Sequence, residues 1–402
     1  MQSTESTPPT TPSPTLGEDA SSGTTVVPMT SVAKVLAGEA RVIDLRSPSE
    51  FDLDHLPGAR SVPLFGDAER AIIGTLYKRQ SPQAAFDEAR ELARDRIRGL
   101  VQEICSACDW ETSADNFEAR LVEMTSGGME LIEGALVSRD AGPLPDDAVV
   151  FHCWRGGLRS RSVVAFLRSL GFTQAVQLDG GYKSYRREVV RQLDTAVFPP
   201  AYVLRGLTGV GKTLVLRELE AIRPGWVLDL ELHAGHRSSI LGMVGLDPCN
   251  QKTFDSRIAA QLRRGLASCV VYEGESRKVG DVIVPSSVWA SLAGGTNLKL
   301  TAPVDYRVDV LIEGYLTTEE SRSELRERLP FIENRLGSNK WSGELVRRLD
   351  NGEERELVEL LLELYYDPLY SHSGKETQYT HTIDSTDPVR AAKEIAAWIE
   401  NR

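Results

Sequence analysis

The chain predicts two α/β domains in succession, each built on a parallel sheet, with a helical insert in the first and a mostly helical part after the second. Three observations carry this. The β-branched and aromatic run Val149-Val150-Phe151 leads through Cys153 and the pair Gly156-Gly157 into Arg161 to Leu170, where Val163, Phe166, Leu167 and Leu170 recur at helical spacing. Tyr202-Val203-Leu204 leads in the same way into Gly206-Leu207-Thr208-Gly209-Val210-Gly211-Lys212-Thr213 and then a stretch with apolar Leu214, Val215 and Leu219. Two further apolar runs, Trp226-Val227-Leu228 and Cys269-Val270-Val271-Tyr272, end in acids, as strands do when a parallel sheet meets its ligand at the carboxyl edge.

In chain order, residues 1–24 are Ser, Thr, Pro and Gly with almost no apolar content, so they cannot offset the entropy of ordering and are expected to be a disordered tail. The first domain is expected over 25–195. Ser31 to Leu36 reads as a short helix and Arg41 to Arg46 as a strand with a polar end, followed by Ser47-Pro48-Ser49-Glu50-Phe51 and His55-Leu56-Pro57-Gly58-Ala59-Arg60-Ser61-Val62-Pro63. Residues from about 66 to 145 form an insert. Its Ala68 to Ile104 stretch interleaves charges with Leu, Ile and Ala at helical spacing, and Tyr77 and Lys78 near its start suit either a ligand contact or a helix cap. Gly171 to Leu178 and Asp179-Gly180-Gly181-Tyr182 add a strand and a turn, Tyr185 to Leu193 a helix, and Phe198-Pro199-Pro200 a linker. The second domain is expected over 200–335 and a helical C-terminal region over 336–402, with Arg335 to Trp341 as a polar-aromatic turn. The aromatic run from Tyr365 to Tyr370 fits base stacking and core packing equally well.

At 402 residues the chain is long enough for two or three domains with substantial cores. Its formal net charge of −12 argues against broad, nonspecific nucleic-acid binding. Residues 201–300 nevertheless hold twelve Lys and Arg against nine acids, which makes this +3 segment the first candidate for meeting RNA phosphates. Five scattered cysteines are a reducing-compartment pattern rather than a disulfide framework. Cys105-Ser106-Ala107-Cys108 has no second pair or nearby histidine to complete a metal set, so it reads as structural. With no apolar run of membrane-spanning length and no apolar leader, a soluble, cytoplasmic protein with no membrane partner is expected.

The first candidate site is Cys153. Two glycines after a strand let the amides of Trp154, Arg155, Gly156, Gly157 and Leu158 curl around one centre at the start of the next helix, which makes a nest for an anion. A thiol in that nest is held as thiolate, the more so with Arg155 and Arg159 beside it, so Cys153 is the candidate nucleophile. Cys153-x-x-Gly156-x-x-Arg159 resembles the active loop of rhodanese domains, whose cysteine carries sulfur or selenium. The Asp44-x-Arg46, Glu50-Phe51 and His55-x-Pro57-Gly58-Ala59 strings are similar to the same family, which implies a rhodanese-like sheet with Asp44 and Arg46 supporting the site. His152-Cys153-x5-Arg159 equally resembles cysteine-dependent phosphatases and arsenate reductases. Both chemistries need a thiolate facing an anion-sized cradle.

The second candidate site is the glycine loop. Gly206, Gly209 and Gly211 let the backbone approach phosphate oxygens, Lys212 adds a point charge, and Thr213 can ligate an optional Mg²⁺. Asp229, Glu231, Glu273, Glu275 and Arg277 stand as supporting residues at strand ends, and His233, His236 and Arg237 suit either a polar cluster over the phosphates or a structural role. No metal ligand set is assigned. Glu273 occupies a place where an ordinary phosphate-loop NTPase more often has Asp, which puts routine ATP hydrolysis in doubt.

A rhodanese-like domain with a helical insert ahead of a P-loop domain resembles the tRNA 2-selenouridine synthase family, from about Val26 to the C-terminus. What the resemblance implies is a transferase that replaces sulfur by selenium at the wobble 2-thiouridine of tRNA, with selenophosphate as donor, no tightly bound cofactor, and an S-geranylated intermediate made from geranyl diphosphate. It also implies that Cys153 takes up selenium and that the glycine loop holds a diphosphate. A phosphatase or arsenate reductase, or a plain sulfurtransferase with a nucleotide-binding domain, remains the alternative.

Overall fold

The computed structural model describes residues 25–38, 40–111, 116–125, 136–369 and 377–402. The expected disordered tail over 1–24 and Tyr370 of the aromatic run lie outside the described residues. The chain divides into two compact units after Tyr185.

In the first unit the elements are β1 (Thr25–Thr30), α1 (Val32–Ala37), β2 (Arg41–Asp44), α2 (Pro48–Leu53), β3 (Ala59–Ser61), α3 (Asp67–Arg79), α4 (Pro82–Cys108), α5 (Phe117–Thr125), β4 (Leu136–Asp140), β5 (Val149–His152), α6 (Leu158–Ser169), β6 (Ala175–Leu178) and α7 (Gly181–Asp194). The strands make one six-stranded parallel sheet in the order β3-β2-β5-β6-β1-β4. Central β5 and β6 are buried at every residue, their polar His152 and Gln177 included, as strands of a sheet covered on both faces are.

The expected insert over 66–145 is helical at first and then departs from expectation. Ser81 caps α4 by accepting from the Ala84 amide at 3.0 Å, Pro82 opens the helix, and Asp109 closes it in the left-handed region at φ 57°. Leu100, Val101, Ile104, Cys105 and Cys108 of α4 lie in one buried cluster with Phe151 of β5 and Phe166 of α6, and the Trp110 ring stacks on Phe172 at 4.8 Å. The insert therefore supplies part of the unit's core. Its last part, Leu136–Asp140, is a strand, because Leu-Val-Ser-Arg-Asp pairs residue for residue with β1 at the sheet edge. Tyr77 sits 59% exposed on α3, and Gln80 rather than Tyr77 or Lys78 caps that helix. Cys105 and Cys108 are free and buried, and burial pushes the Cys108 thiol up to about 11, which suits packing and not redox exchange.

The second unit continues with β7 (Ala201–Arg205), α8 (Lys212–Ile222), α9 (Leu230–Ala234), α10 (Gln251–Arg264), β8 (Val270–Glu273), β9 (Lys278–Val279), β10 (Val282–Ile283), α11 (Ser286–Ala293), β11 (Thr296–Thr301), α12 (Val304–Tyr315), α13 (Glu319–Trp341), α14 (Glu344–Asp350), α15 (Glu354–Leu361), a π-turn over Leu362–Tyr366, β12 (His381–Asp384) and α16 (Pro388–Glu400). Its parallel sheet runs β12-β11-β7-β8. The division of the chain falls inside α7, ten residues before the expected end of the first domain. The physical reason is that Arg186 bonds Asp255 at 2.8 Å and Arg263 bonds Gln192 at 2.9 Å, so this end of α7 packs with the second unit.

Two further expectations are corrected. Trp226-Val227-Leu228 is no strand: Val227 makes a single bridge to Val271 before the chain turns into α9. Arg335 to Trp341 is helical, broken at Gly337 by a φ of 111°. The region 336–402 is mostly helical, as expected, and its β12 adds an edge strand to the sheet while α16 packs its buried Ala391, Ala392 and Ile395 into the same core as Val215 and Leu219 of α8. Tyr365 and Tyr366 are buried, edge to face at 5.1 Å, which assigns them to core packing. Among the described residues, no helix is long and apolar enough to cross a membrane.

Candidate functional site

Cys153 follows the last residue of β5, at the carboxyl edge of the sheet, and is 2% exposed. The loop it begins is held by the N-terminus of α7 and by Gln177 of β6. The Tyr182 amide donates to the Cys153 carbonyl at 2.9 Å, the Lys183 amide to the Trp154 carbonyl at 2.9 Å, and Gln177 Nε2 to the Gly156 carbonyl at 2.5 Å. On the inner side, the amides of Arg155 and Ser160 hydrogen-bond the Cys153 sulfur. Gly156 has φ 63°, and a Cβ there would stand 2.8 Å from the Gly180 and Gly181 amide nitrogens and the Leu178 carbonyl oxygen; only glycine fits.

Burial alone would raise the Cys153 thiol. The Arg159 charge, the Ser160 hydroxyl and amide, and the Arg155 amide outweigh it and hold the group below its ordinary value. Ser160 Oγ lies 3.3 Å from Sγ. The two arginines thus act differently: Arg159 through its charge and Arg155 through its backbone, with its side chain exposed. Ser160 is a site residue that the sequence reading did not single out, although its place directly after Arg159, in the first turn of α6, was the available signal.

Asp44 and Arg46 are buried and grip each other, Arg46 Nε and Nη2 reaching Asp44 Oδ2 at 2.9 and 2.6 Å. Arg46 also donates to the Asp54 carbonyl at 2.7 Å and stacks 3.8 Å over the Tyr182 ring, whose hydroxyl donates to Asp54 Oδ2 at 2.8 Å. This network braces the α7 turn that holds the Cys153 loop. His152 is fully buried, and burial lowers its pKa and keeps it neutral at 3.6 Å from Asp44.

In the second unit, the glycine loop runs from the end of β7 to the start of α8. Two contacts from distant sequence pin its carbonyls: Arg307 Nε donates to the Thr208 carbonyl at 2.8 Å, and Ser385 Oγ to the Val210 carbonyl at 2.6 Å. Arg307 is itself fixed by a two-pronged bond to Asp367, at 3.0 and 2.6 Å. Gly209, at φ 82°, passes so close to Arg307 that a Cβ would meet its carbonyl oxygen at 2.7 Å. Neither Arg307 nor Ser385 carries a local motif.

Lys212 Nζ lies 3.7 Å from Glu273 Oε1, and the Thr213 hydroxyl donates to Glu273 Oε2 at 3.2 Å. Glu231, Glu273 and Glu275, expected only as supporting residues and not as metal ligands, each place an oxygen within 4.8 Å of the others. Burial first, then mutual repulsion that Lys212 only partly offsets, pushes Glu273 up to about 7 and Glu231 up to about 11. Three carboxyls facing one lysine, those of Glu231 and Glu273 buried and that of Glu275 partly so, fit a divalent cation held with Thr213, or protons in its place. Asp229 is the N-cap of α9, accepting from the Leu232 amide at 2.8 Å. Arg277 is exposed, with Nη2 3.5 Å from Ser286 Oγ.

Of the two readings of the histidine pair and Arg237, the contacts favour the structural one. His233 Nε2 meets Gln261 at 2.5 Å, and Arg237 ties the Val244 and Gly314 carbonyls at 2.8 and 2.9 Å. His236 is wedged between Gly242 and Gly280.

A thiolate loop on a rhodanese-type sheet, followed in the same chain by a phosphate loop on a second parallel sheet, is the class that fold and sites define. A rhodanese-like domain profile matches residues 114–188, and a profile described as the tRNA 2-selenouridine synthase AAA domain matches residues 199–402, just over half of the chain. The chain belongs to the tRNA 2-selenouridine synthase family. Proteins of that name from Chromohalobacter salexigens (28% identical over 85% of this chain and 90% of theirs), Nitrosomonas europaea (27%, 82% and 88%) and Bordetella bronchiseptica (29%, 83% and 88%) are similar along most of their length.

Proposed function

We propose that the chain replaces sulfur by selenium at a wobble 2-thiouridine of tRNA, with selenophosphate as selenium donor and an S-geranylated base, made from geranyl diphosphate, as intermediate. The observation that carries the reading is the inward-facing, thiolate-favouring nest around Cys153. A nest of that kind suits a tetrahedral oxyanion such as selenophosphate, with Arg155, Arg159 and the loop amides as its grip. The pinned loop over Gly206, Gly209, Gly211, Lys212 and Thr213 suits a diphosphate, and Mg²⁺ held by Thr213 and Glu273 would supply further charge neutralisation for the leaving group.

The steps balance without an external oxidant. The thiocarbonyl sulfur attacks C1 of geranyl diphosphate, the C–O bond breaks, diphosphate leaves with the electron pair, and the base loses its N3 proton. The Cys153 thiolate then attacks C2 of the alkylated base, and geranylthiolate leaves and takes a proton from water. Selenium of selenophosphate attacks C2 in turn and expels the Cys153 thiolate. Water cleaves the Se–P bond, releasing phosphate and leaving selenouridine. Alkylation matters because it turns a poor sulfur leaving group into a good one. The expected uptake of selenium on Cys153 is not part of this scheme: an S–Se bond formed directly from selenophosphate would release phosphite, and releasing phosphate would need an oxidant.

The test is mass spectrometry of nucleosides from 2-thiouridine tRNA incubated with protein, geranyl diphosphate and selenophosphate, each donor omitted in turn. Selenouridine is expected only with selenophosphate, and geranylthiouridine is expected to accumulate without it. A Cys153→Ser protein that still converts geranylated to selenated tRNA overturns the nucleophile. Unchanged tRNA under every condition, together with hydrolysis of an aryl phosphate or reduction of arsenate, moves the assignment to the phosphatase-like alternative.

A further inference from the structure

The first unit contains an apolar cavity of about 150 Å³ that the chemistry above does not use. It is walled by α4 and Leu121 of α5 on the insert side, and by Leu64, Phe65 and the start of α6 on the other. Ten of its fourteen lining residues are apolar, and three of the other four are Arg90, Arg94 and Arg159, so a hydrocarbon interior meets guanidinium groups. Arg90 and Arg94 are matched on their own helix by Asp87 and Glu91, at 3.8 and 3.1 Å, so they bring little net charge.

Two features argue against a mere packing fault. The pocket is partly open, so its apolar lining meets water, and a guest that covers this lining is favoured by the hydrophobic effect. The small residue Ala93 lines it in mid-helix, where a larger apolar side chain would begin to close it. The cavity also shares a wall with the thiolate nest. Leu158 and Arg159, the first two residues of α6, line it, and Arg159 is the charge that favours the Cys153 thiolate. A group held in the cavity is therefore held next to the reacting loop, by residues of that loop's own helix.

Size and lining specify the guest. An engineered lysozyme cavity of about 150 Å³ lined by Leu, Ile and Phe stays dry and takes up benzene. The guest here is likewise an apolar group of about five or six carbons, a size that a branched five-carbon isoprene unit matches. We propose that this cavity is the subsite for the terminal isoprene of an alkyl chain carried on the sulfur that is displaced beside Cys153. The inference rests on the S-alkylated reading above and adds to it a location: the insert, and not the phosphate-loop unit, receives the hydrocarbon during selenium entry.

The experiment compares two anticodon stem-loops, one with S-geranyl-2-thiouridine and one with S-methyl-2-thiouridine, as substrates for selenation by the full chain. The wild type is expected to favour the geranyl substrate in kcat/KM, and Ala93→Phe and Ala89→Phe, which fill the cavity, are expected to lower the geranyl-to-methyl ratio at least tenfold. A diazirine-bearing prenyl analogue of the geranyl stem-loop, photolysed on the wild type, is expected to label peptides from 82–108 and 158–169, a readout that does not depend on a variant folding. Labelling confined to other peptides, or an unchanged ratio in folded variants, overturns the subsite while leaving the S-alkylated reading intact. A wild type that selenates 2-thiouridine directly and ignores both alkylated substrates overturns the reading and the subsite together.

Discussion

Ser160 Oγ stands 3.3 Å from Cys153 Sγ, so the hydroxyl is placed to donate to the thiolate. A hydrogen bond to a charged group contributes about 1.5–3 kcal/mol, or roughly 1–2 pKa units. Ser160→Ala is therefore expected to shift the pH midpoint of Cys153 alkylation by iodoacetamide upward by about one unit or more. An unmoved midpoint would leave Arg159 and the amides as the whole cause.

The Gly156 backbone has no room for a side chain. Gly156→Ala combines a left-handed φ with a Cβ 2.8 Å from three backbone atoms. The expected cost is about 1–3 kcal/mol, a fall of several degrees in the melting temperature of the first unit, with slowed alkylation of Cys153. Differential scanning calorimetry and the alkylation rate check both parts. Full stability in the variant would mean that the loop relaxes away from α7.

The carboxyls of the second unit set the sign of a pH dependence. Glu273 is raised to about 7, and Glu231, Glu275 and Asp229 are raised too, all first by burial. An unfolded glutamate loses its proton near pH 4.3, before the folded one does, so the stability these groups contribute is present at low pH. For Glu273 it is lost as pH rises from about 4.3 through about 7. The melting temperature is expected to fall between pH 5 and pH 8, and Glu273→Gln is expected to flatten that fall. Mg²⁺ is expected to stabilise the protein more at pH 8 than at pH 5, because it competes with protons. A melting temperature that rises over this range would contradict the assignment.

Arg307 pins the phosphate loop, and Asp367 pins Arg307. Arg307→Met frees the Thr208 carbonyl and strands a half-buried carboxylate, at a cost of about 2–3 kcal/mol, less than for a fully buried pair. Calorimetric titration with inorganic diphosphate is expected to show affinity reduced about tenfold. A lower melting temperature with unchanged affinity would show that the loop keeps its shape unaided.

How much of this the sequence discloses follows from distance along the chain. The Cys153 loop and the Gly206 to Thr213 loop are contiguous, and each lies between a strand run and a helical period, so their chemistry is legible locally. Arg307 and Ser385 reach the phosphate loop from about a hundred and 175 residues away, and nothing in a helix pattern or a terminal turn marks them. The Glu231, Glu273 and Glu275 cluster depends on which strand ends become neighbours, which no single stretch encodes. Leu136–Asp140 and His381–Asp384 escaped because short, half-polar edge strands lack the unbroken apolar run that betrays a buried one. Glycine roles were visible as flexibility but not as space: that Gly156 faces Gly180 and Gly181 requires the α7 turn to be in place.

The strands on either side of the insert's helices, β3 and β4, lie at opposite edges of the six-stranded sheet. Five interstrand spacings separate them, about 24 Å. A chain that dispensed with those helices would need about seven extended residues merely to cross that width. The segment is thus a compulsory bridge: its sequence can drift and its pocket can be resized, but a deletion that shortens it below that span tears an edge strand from the sheet.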